Sequence, residues 1–350
     1  MSESNTTLPA AVPTGLPMTA GGAVHASGAT RNASSGAVHA SGATRNASSG
    51  AVHASGATSN ASGGAVHASG ATPNASSGAI HASGATSNSA GGALSTSGGT
   101  EPAASVEYLL RLGDTSLVLG QRLGEWIGHS PALEEDLGLA NLALDLVGQA
   151  RLLLSYAGEV EGRGRDEDAL AFFRDAPQFR NFTLVEQPNG DFAQTVVRQF
   201  LLDAWQVELY EALVSSADGR LAAIAAKAVK ESRYHYRFSS GWVVRLGDGT
   251  EESHRRMQNA MDSLWRFTDE LFAVDEVDER MAAAGIAPRL AELQPRWSAR
   301  VDEVLREATL QRPQSVRYPW QGKRGVHSEH LGHMLTEMQH LQRTYPGARW

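Results

Sequence analysis

An all-α bundle is the fold this sequence predicts. Two observations carry the prediction. From Ser105 onward, apolar residues recur at helical spacing almost without pause, and no alternating strand of useful length interrupts them. The breaks between those runs carry helix punctuation, with Pro131 near one start, Asn189-Gly190 ahead of Asp191, Asp248-Gly249 between two runs and Pro346 after the last.

Taken in order, the periodicity predicts helices over about 105 to 128, 131 to 157, 191 to 216, 218 to 246, 251 to 273, 288 to 309 and 327 to 344. Shorter turns fall near 167 to 175 and 276 to 284. Four long helices followed by a C-terminal helical extension make a bundle. Helix 131 to 157 is apolar on two faces, Leu133, Leu137, Ala140, Leu144 and Val147 on one and Leu139, Leu142, Leu146 and Leu153 on the other, which predicts an enclosed helix.

Ahead of this, residues 22 to 95 repeat a unit close to GAVHASGATRNASS every 14 residues, spacing His25, His39, His53, His67 and His81 equally. The period invites a solenoid. Composition opposes it, because one Val or Ile per repeat buries too little to offset an ordering cost of about 1 to 2 kcal/mol per residue. Residues 1 to 104 are therefore expected to be a disordered low-complexity tail, with 105 to 350 as the folded domain. The Asn-Ala-Ser triplets match a glycosylation sequon, but no basic stretch followed by an apolar core opens the chain to suggest a secretory route.

Charge narrows the function. The chain has 38 acidic and 30 basic residues and a net charge of -8. In the first 104 residues, Glu3 and Glu101 cancel Arg31 and Arg45, so the whole excess lies in the helical part. An acidic surface argues against nucleic acid as a partner. The absence of cysteine excludes disulfides, thiolate metal sites and cysteine nucleophiles. The richest apolar segment, 137 to 157, is interrupted by Asn141, Asp145, Gln149 and Arg151, so no membrane span is expected and the chain reads as soluble and cytoplasmic.

The chemistry to weigh lies inside the bundle. Asn141, Asp145 and Gln149 recur every fourth residue and stack along one stripe. Bundle-core di-iron proteins take a Glu from each of two helices and Glu-x-x-His from each of two more. The corresponding slots here read Asp145 and Gly148 on one helix and Ser232 and His235 on another, with Glu231 about 100° around the axis from the position it would need. Glycine offers no imidazole, and serine is a poor ligand for a hard divalent cation. Gln121, Glu125 and His129 stack on the first helix, and Gln199, Asp203, Gln206 and Tyr210 on the third. A surviving site would use Glu125, Asp145, Asp203 and His235; the favoured reading is a hydrogen-bonded network in the space metals would occupy.

Elsewhere, GVHSEHLGHMLTEMQH holds His327, His330, His333, Glu337 and His340 without a zinc signature, which favours a hydrogen-bonding or interface role. Arg233, Arg237 and Arg245 form a basic line expected to be solvated surface. RYPWQGKRG, residues 317 to 325, lacks the strand-loop-helix context of a phosphate loop.

The segments YLLRLGDTSLVLGQRLGEWIGH, LANLALDLVGQARLLLSYA, LVEQPNGDFAQTVVRQFLLDAWQVELY, AKAVKESRYHYRFSSGW and GVHSEHLGHMLTEMQHLQR occur in this order from about residue 105 to the C-terminus. Together they resemble the PaaC family, the C-type subunits of the phenylacetyl-CoA 1,2-epoxidase, a ring-epoxidising monooxygenase of aerobic phenylacetate breakdown. The resemblance implies a ferritin-like helical bundle that has lost its di-iron centre and pairs with the iron-bearing, catalytic A-type subunit in a hetero-oligomer. It implies no catalytic residues, cofactor or metal of its own, leaving Glu125, Asp145, Asp203, Glu231 and His235 as a vestigial site. The alternative is a catalytic di-metal oxygenase with unorthodox ligands.

Overall fold

The computed structural model describes residues 101–314, 319 and 321–348, together with ten short segments between 24 and 89. It divides into two compact units, Met1–Ser97 and Gly98–Trp350.

In the first unit the described segments are strands β1 (Val24–Ser27) to β10 (Asn88–Ser89). They pair in parallel as two five-stranded sheets, ordered β1-β3-β5-β7-β9 and β10-β8-β6-β4-β2. Each strand meets its copy one repeat away, so Val24 lies opposite Val38 and Asn32 opposite Asn46. Most of residues 1 to 104, for which composition predicts a disordered tail, lies outside the described residues. Parallel register satisfies backbone N–H and C=O whatever the side chains, a contribution that counting apolar residues omits.

The second unit is helical: α1 (Glu101–Trp126), α2 (Leu133–Glu161), α3 (Glu167–Phe172), α4 (Phe192–Leu213), α5 (Gly219–Gly247), α6 (Glu251–Trp265), α7 (Glu276–Ala283), α8 (Leu290–Glu307) and α9 (Glu329–Thr344). Its described residues hold no strand, only an isolated bridge between Gln321 and Val326. The hairpins α1–α2 and α4–α5, joined by the long crossover 162–191, form the bundle, and one crossover of this kind is the ferritin-like connection. Caps fall where short polar side chains stand: Asp191 accepts from Gln194 N at 2.9 Å, Asp218 opens α5, Thr250 opens α6 and Asp275 opens α7. The helix expected over 251 to 273 ends at Trp265 and resumes as a 3-10 turn, Thr268–Phe272.

α4 is the bundle's central helix, buried nearly all round from Ala193 to Tyr210. α8 lies across it, and Trp297 donates its indole N–H to Leu201 O at 3.1 Å. α2 is the exception to expectation. Leu139, Leu142, Leu146 and Leu153 are buried, but Leu133, Leu137, Leu144 and Val147 are exposed. The helix sits at the bundle edge with only α1, α3 and α5 as principal neighbours, which leaves its second apolar face uncovered. Although Asn141, Asp145, Gln149 and Arg151 interrupt it, α2 is long and apolar enough to cross a membrane by length and composition. Asp145 and Gln149 are used inward, as described next.

The C-terminal extension ties the crossover down. Glu186 is wholly buried and accepts from Ser328 N at 2.7 Å and from the His327 ring at 3.0 Å, while the other ring nitrogen of His327 meets Phe179 O at 3.0 Å. Glu270, held above its ordinary range mainly by burial, accepts from the backbone N–H of Thr183 and Lys323. The Lys323 ammonium, buried, reaches Asp278 at 2.5 Å, so Lys323 acts as a structural pin.

Candidate functional site

Between α2, α4 and α5 the core is polar. On α2, Asp145 and Gln149 stand one turn apart; on α5, Glu231 and His235 have the same spacing, so the two pairs meet rung by rung. His235 Nε2 lies 3.1 Å from Asp145 Oδ2, and Gln149 donates to Glu231 Oε2 at 3.0 Å. Tyr210, on α4, donates to Gln149 Oε1 at 3.5 Å. Further along, Asp203 is completely buried and takes hydrogen bonds from Gln199 at 2.6 Å and Ser239 at 2.7 Å.

Burial governs the electrostatics of this layer. It pushes the Asp203 carboxyl up to about 8 against the opposing hydrogen bonds from Ser239 and Gln199, so near pH 7 the group is predominantly protonated. It lowers His235 below the ordinary imidazole range despite Asp145, which favours the neutral ring with Nε2–H directed at Asp145. The Tyr210 phenol is pushed up to about 12 by the same cause. Asp145 is the member most open to water, its side chain 40% exposed, and Glu231 is partly exposed as well.

Of the five residues singled out in the sequence, the structure joins Asp145 directly to His235 and places the Gln149–Glu231 pair one turn away. Asp203 has separate partners. Glu125 does not join the layer: it pairs with Arg122 at 2.7 Å, and Arg122 also reaches Glu186 O and His330 O. Its place in the 121-125-129 stack follows the turn of α1, but the guanidinium three residues earlier captures it. Among the described residues no three His, Asp or Glu side chains converge as a metal-binding group.

Residues 95–350 match the family model for the phenylacetic acid catabolic protein. The chain belongs to that family. It is 58% identical over 243 residues to the C-type subunit of the 1,2-phenylacetyl-CoA epoxidase of Escherichia coli (strain K12), across 69% of this chain and 98% of the relative. Among solved structures, a Synechococcus protein with aldehyde deformylating oxidase activity aligns at 15% identity with a TM-score of 0.43, covering 60% of this chain and 91% of that one.

Within this family member, several atoms of the polar layer stay unpartnered among the described residues: His235 Nδ1, Ser232 Oγ, Gln199 Oε1 and Gln206 Oε1. Ser232 and His235 are one turn apart, in the slots where Glu-x-x-His would stand. Gly148, the corresponding slot on α2, has open space beside it. Sequence reasoning missed two buried polar groups that position the layer, Ser239 and Arg198. A serine on an apolar helix face is the only signal for the first. Arg198, wholly buried, donates to Gln187 O and Asn189 Oδ1 at 2.6 Å, fixing the turn that leads into α4.

Proposed function

We propose that this chain is a non-catalytic structural component of a multicomponent phenylacetyl-CoA epoxidase, binding and stabilising the di-iron catalytic subunit in aerobic phenylacetate catabolism. The 58% identity to a C-type subunit of such an enzyme supports membership of the complex. The donor set supports the non-catalytic part. A di-iron pair of the bundle type asks for four carboxylates and two imidazoles directed inward. This core supplies one imidazole, already committed to Asp145, and one deep carboxyl, Asp203, held neutral by burial. Glu125 is turned to Arg122, and Gly148 and Ser232 occupy slots that need ligands. The residues present do not fit the metal pair, and no chemical step is assigned to them.

The test is co-expression with the catalytic subunit, followed by metal analysis of each separated chain and turnover of phenylacetyl-CoA by each alone. The expected result is a stable complex, with iron and activity belonging to the other chain. Two irons per copy of this chain, lost in His235→Ala, would establish a di-metal oxygenase with unorthodox ligands instead.

A further inference from the structure

The family match begins at residue 95, so the repeat ahead of it lies outside the proposed structural role. Strands β1, β3, β5 and β7 each read Val-His-Ala-Ser, and β9 reads Ile-His-Ala-Ser. Successive residues of a strand alternate between the two faces of a sheet, so Val and Ala share one face and His and Ser the other. The pairing is parallel and in register: His25 lies opposite His39, His39 opposite His53, His53 opposite His67 and His67 opposite His81. Five histidines therefore succeed one another across one polar face at the strand spacing, about 4.8 Å.

The composition around the row decides what it can bind. Residues 4 to 100 contain no Asp, Glu, Cys or Lys, and Arg31 and Arg45 are their only charged side chains. No carboxylate of the repeat can pair with an imidazolium, and none can hold a hard cation such as magnesium or calcium. Neutral imidazole is instead a ligand for zinc, nickel and copper. With Zn–N near 2.0 to 2.1 Å, two nitrogens on one tetrahedral ion stand roughly 3.4 Å apart, a separation that neighbouring strands allow. A straight row does not bring three imidazoles to one point, so each ion takes two, and water fills its other positions. Five histidines supply two such pairs.

We propose that the histidine row of the repeat is a binding site for divalent transition metals of the zinc class, each ion held by two imidazoles from neighbouring strands, two ions to the row.

The experiment is calorimetric titration of zinc into the full-length chain at about pH 7.5, where free imidazole is neutral. The background is the variant with alanine at all five positions, because the helical unit has histidines of its own, His330, His333 and His340 among them. The wild type is expected to bind two ions beyond that background. Two triple variants separate strand pairing from mere histidine content. His53→Ala/His67→Ala/His81→Ala keeps the neighbours His25 and His39 and is expected to bind one ion. His39→Ala/His53→Ala/His67→Ala keeps His25 and His81, four strands or about 19 Å apart in the sheet, and is expected to bind none. Each carries three substitutions, so a general weakening of the sheet would touch both alike. In a structureless chain the two pairs would differ only through loop length, 56 residues against 14, which amounts to about eightfold in affinity by the −3/2 power of length. A wild type that binds no zinc beyond the background overturns the proposal. So does a His25 and His39 pair that binds none, or a difference of eightfold or less between the triple variants. The readout involves neither the helical unit nor any other epoxidase component, so failure here leaves the proposed structural role standing.

Discussion

Asp203→Asn should stabilise the protein near neutral pH and do little in acid. Asp203 is fully buried, its carboxyl pushed up to about 8 from an ordinary 3.8. A carboxyl raised on folding gives stability that is complete below pH 3.8, where both states are protonated, and is lost progressively as the pH climbs towards 8. At pH 7 the unfolded chain has released this proton and the folded chain has not, a gap of roughly 3 pH units, which costs on the order of 4 kcal/mol at about 1.36 kcal/mol per unit. Asparagine cannot ionise and keeps the shape. Its amide can donate to Gln199 Oε1, which has no partner, while its carbonyl still accepts from Ser239. The assay is urea unfolding of both proteins at pH 4 and pH 7.5. A gain of several kcal/mol at pH 7.5 that shrinks to near zero at pH 4, with the urea dependence unchanged, is the expected pattern. Equal destabilisation at both pH values would refute the reasoning, because it would mean the folded protein uses an ionised Asp203.

The other predictions concern His235 and the repeat. His235 is buried below its ordinary range, so the unfolded chain gains a proton first as the pH drops through about 6.5, and stability falls with it. The stability advantage of wild type over His235→Gln should therefore shrink between pH 7.5 and 5 in chemical denaturation; an advantage that grows in acid would mean that an imidazolium–Asp145 pair dominates. For the repeat, parallel pairing and apolar poverty give opposite expectations for amide exchange in the full-length chain. Protection recurring every 14 residues at the strand positions supports the pairing, and exchange at the free-peptide rate throughout 24–89 supports the disordered tail.

The helical frame was legible because its signals are local. Asp191 and the Asp248-Gly249 break mark helix ends by side-chain chemistry alone, and fourfold spacing was enough to align Asp145 with Gln149 and Glu231 with His235. What pairs across helices was less so. Arg122 draws Glu125 out of the layer through an i, i+3 pair that the fourfold stack passes over, and Lys323 in an apparent glycine-rich loop is a buried pin only because of Asp278, 45 positions away. α2 failed for another reason. Periodicity shows that two faces are apolar but cannot say how many neighbours the bundle provides, and at its edge one face goes without. Serine at 239 is signalled only by its place on the helix face, since the buried carboxyl opposite is what gives it a task.

The clamp on the crossover has a consequence for biosynthesis. Glu186 and Glu270 are buried carboxylates whose partners include Lys323, His327 and Ser328, residues that follow them in the chain by 53 to 142 positions. Until those donors emerge, settling the crossover would leave each carboxylate short of partners in a dry interior, which is costly. The nascent chain therefore delays closing this part of the molecule until residues 323–328 have emerged, and a product truncated ahead of them lacks those donors.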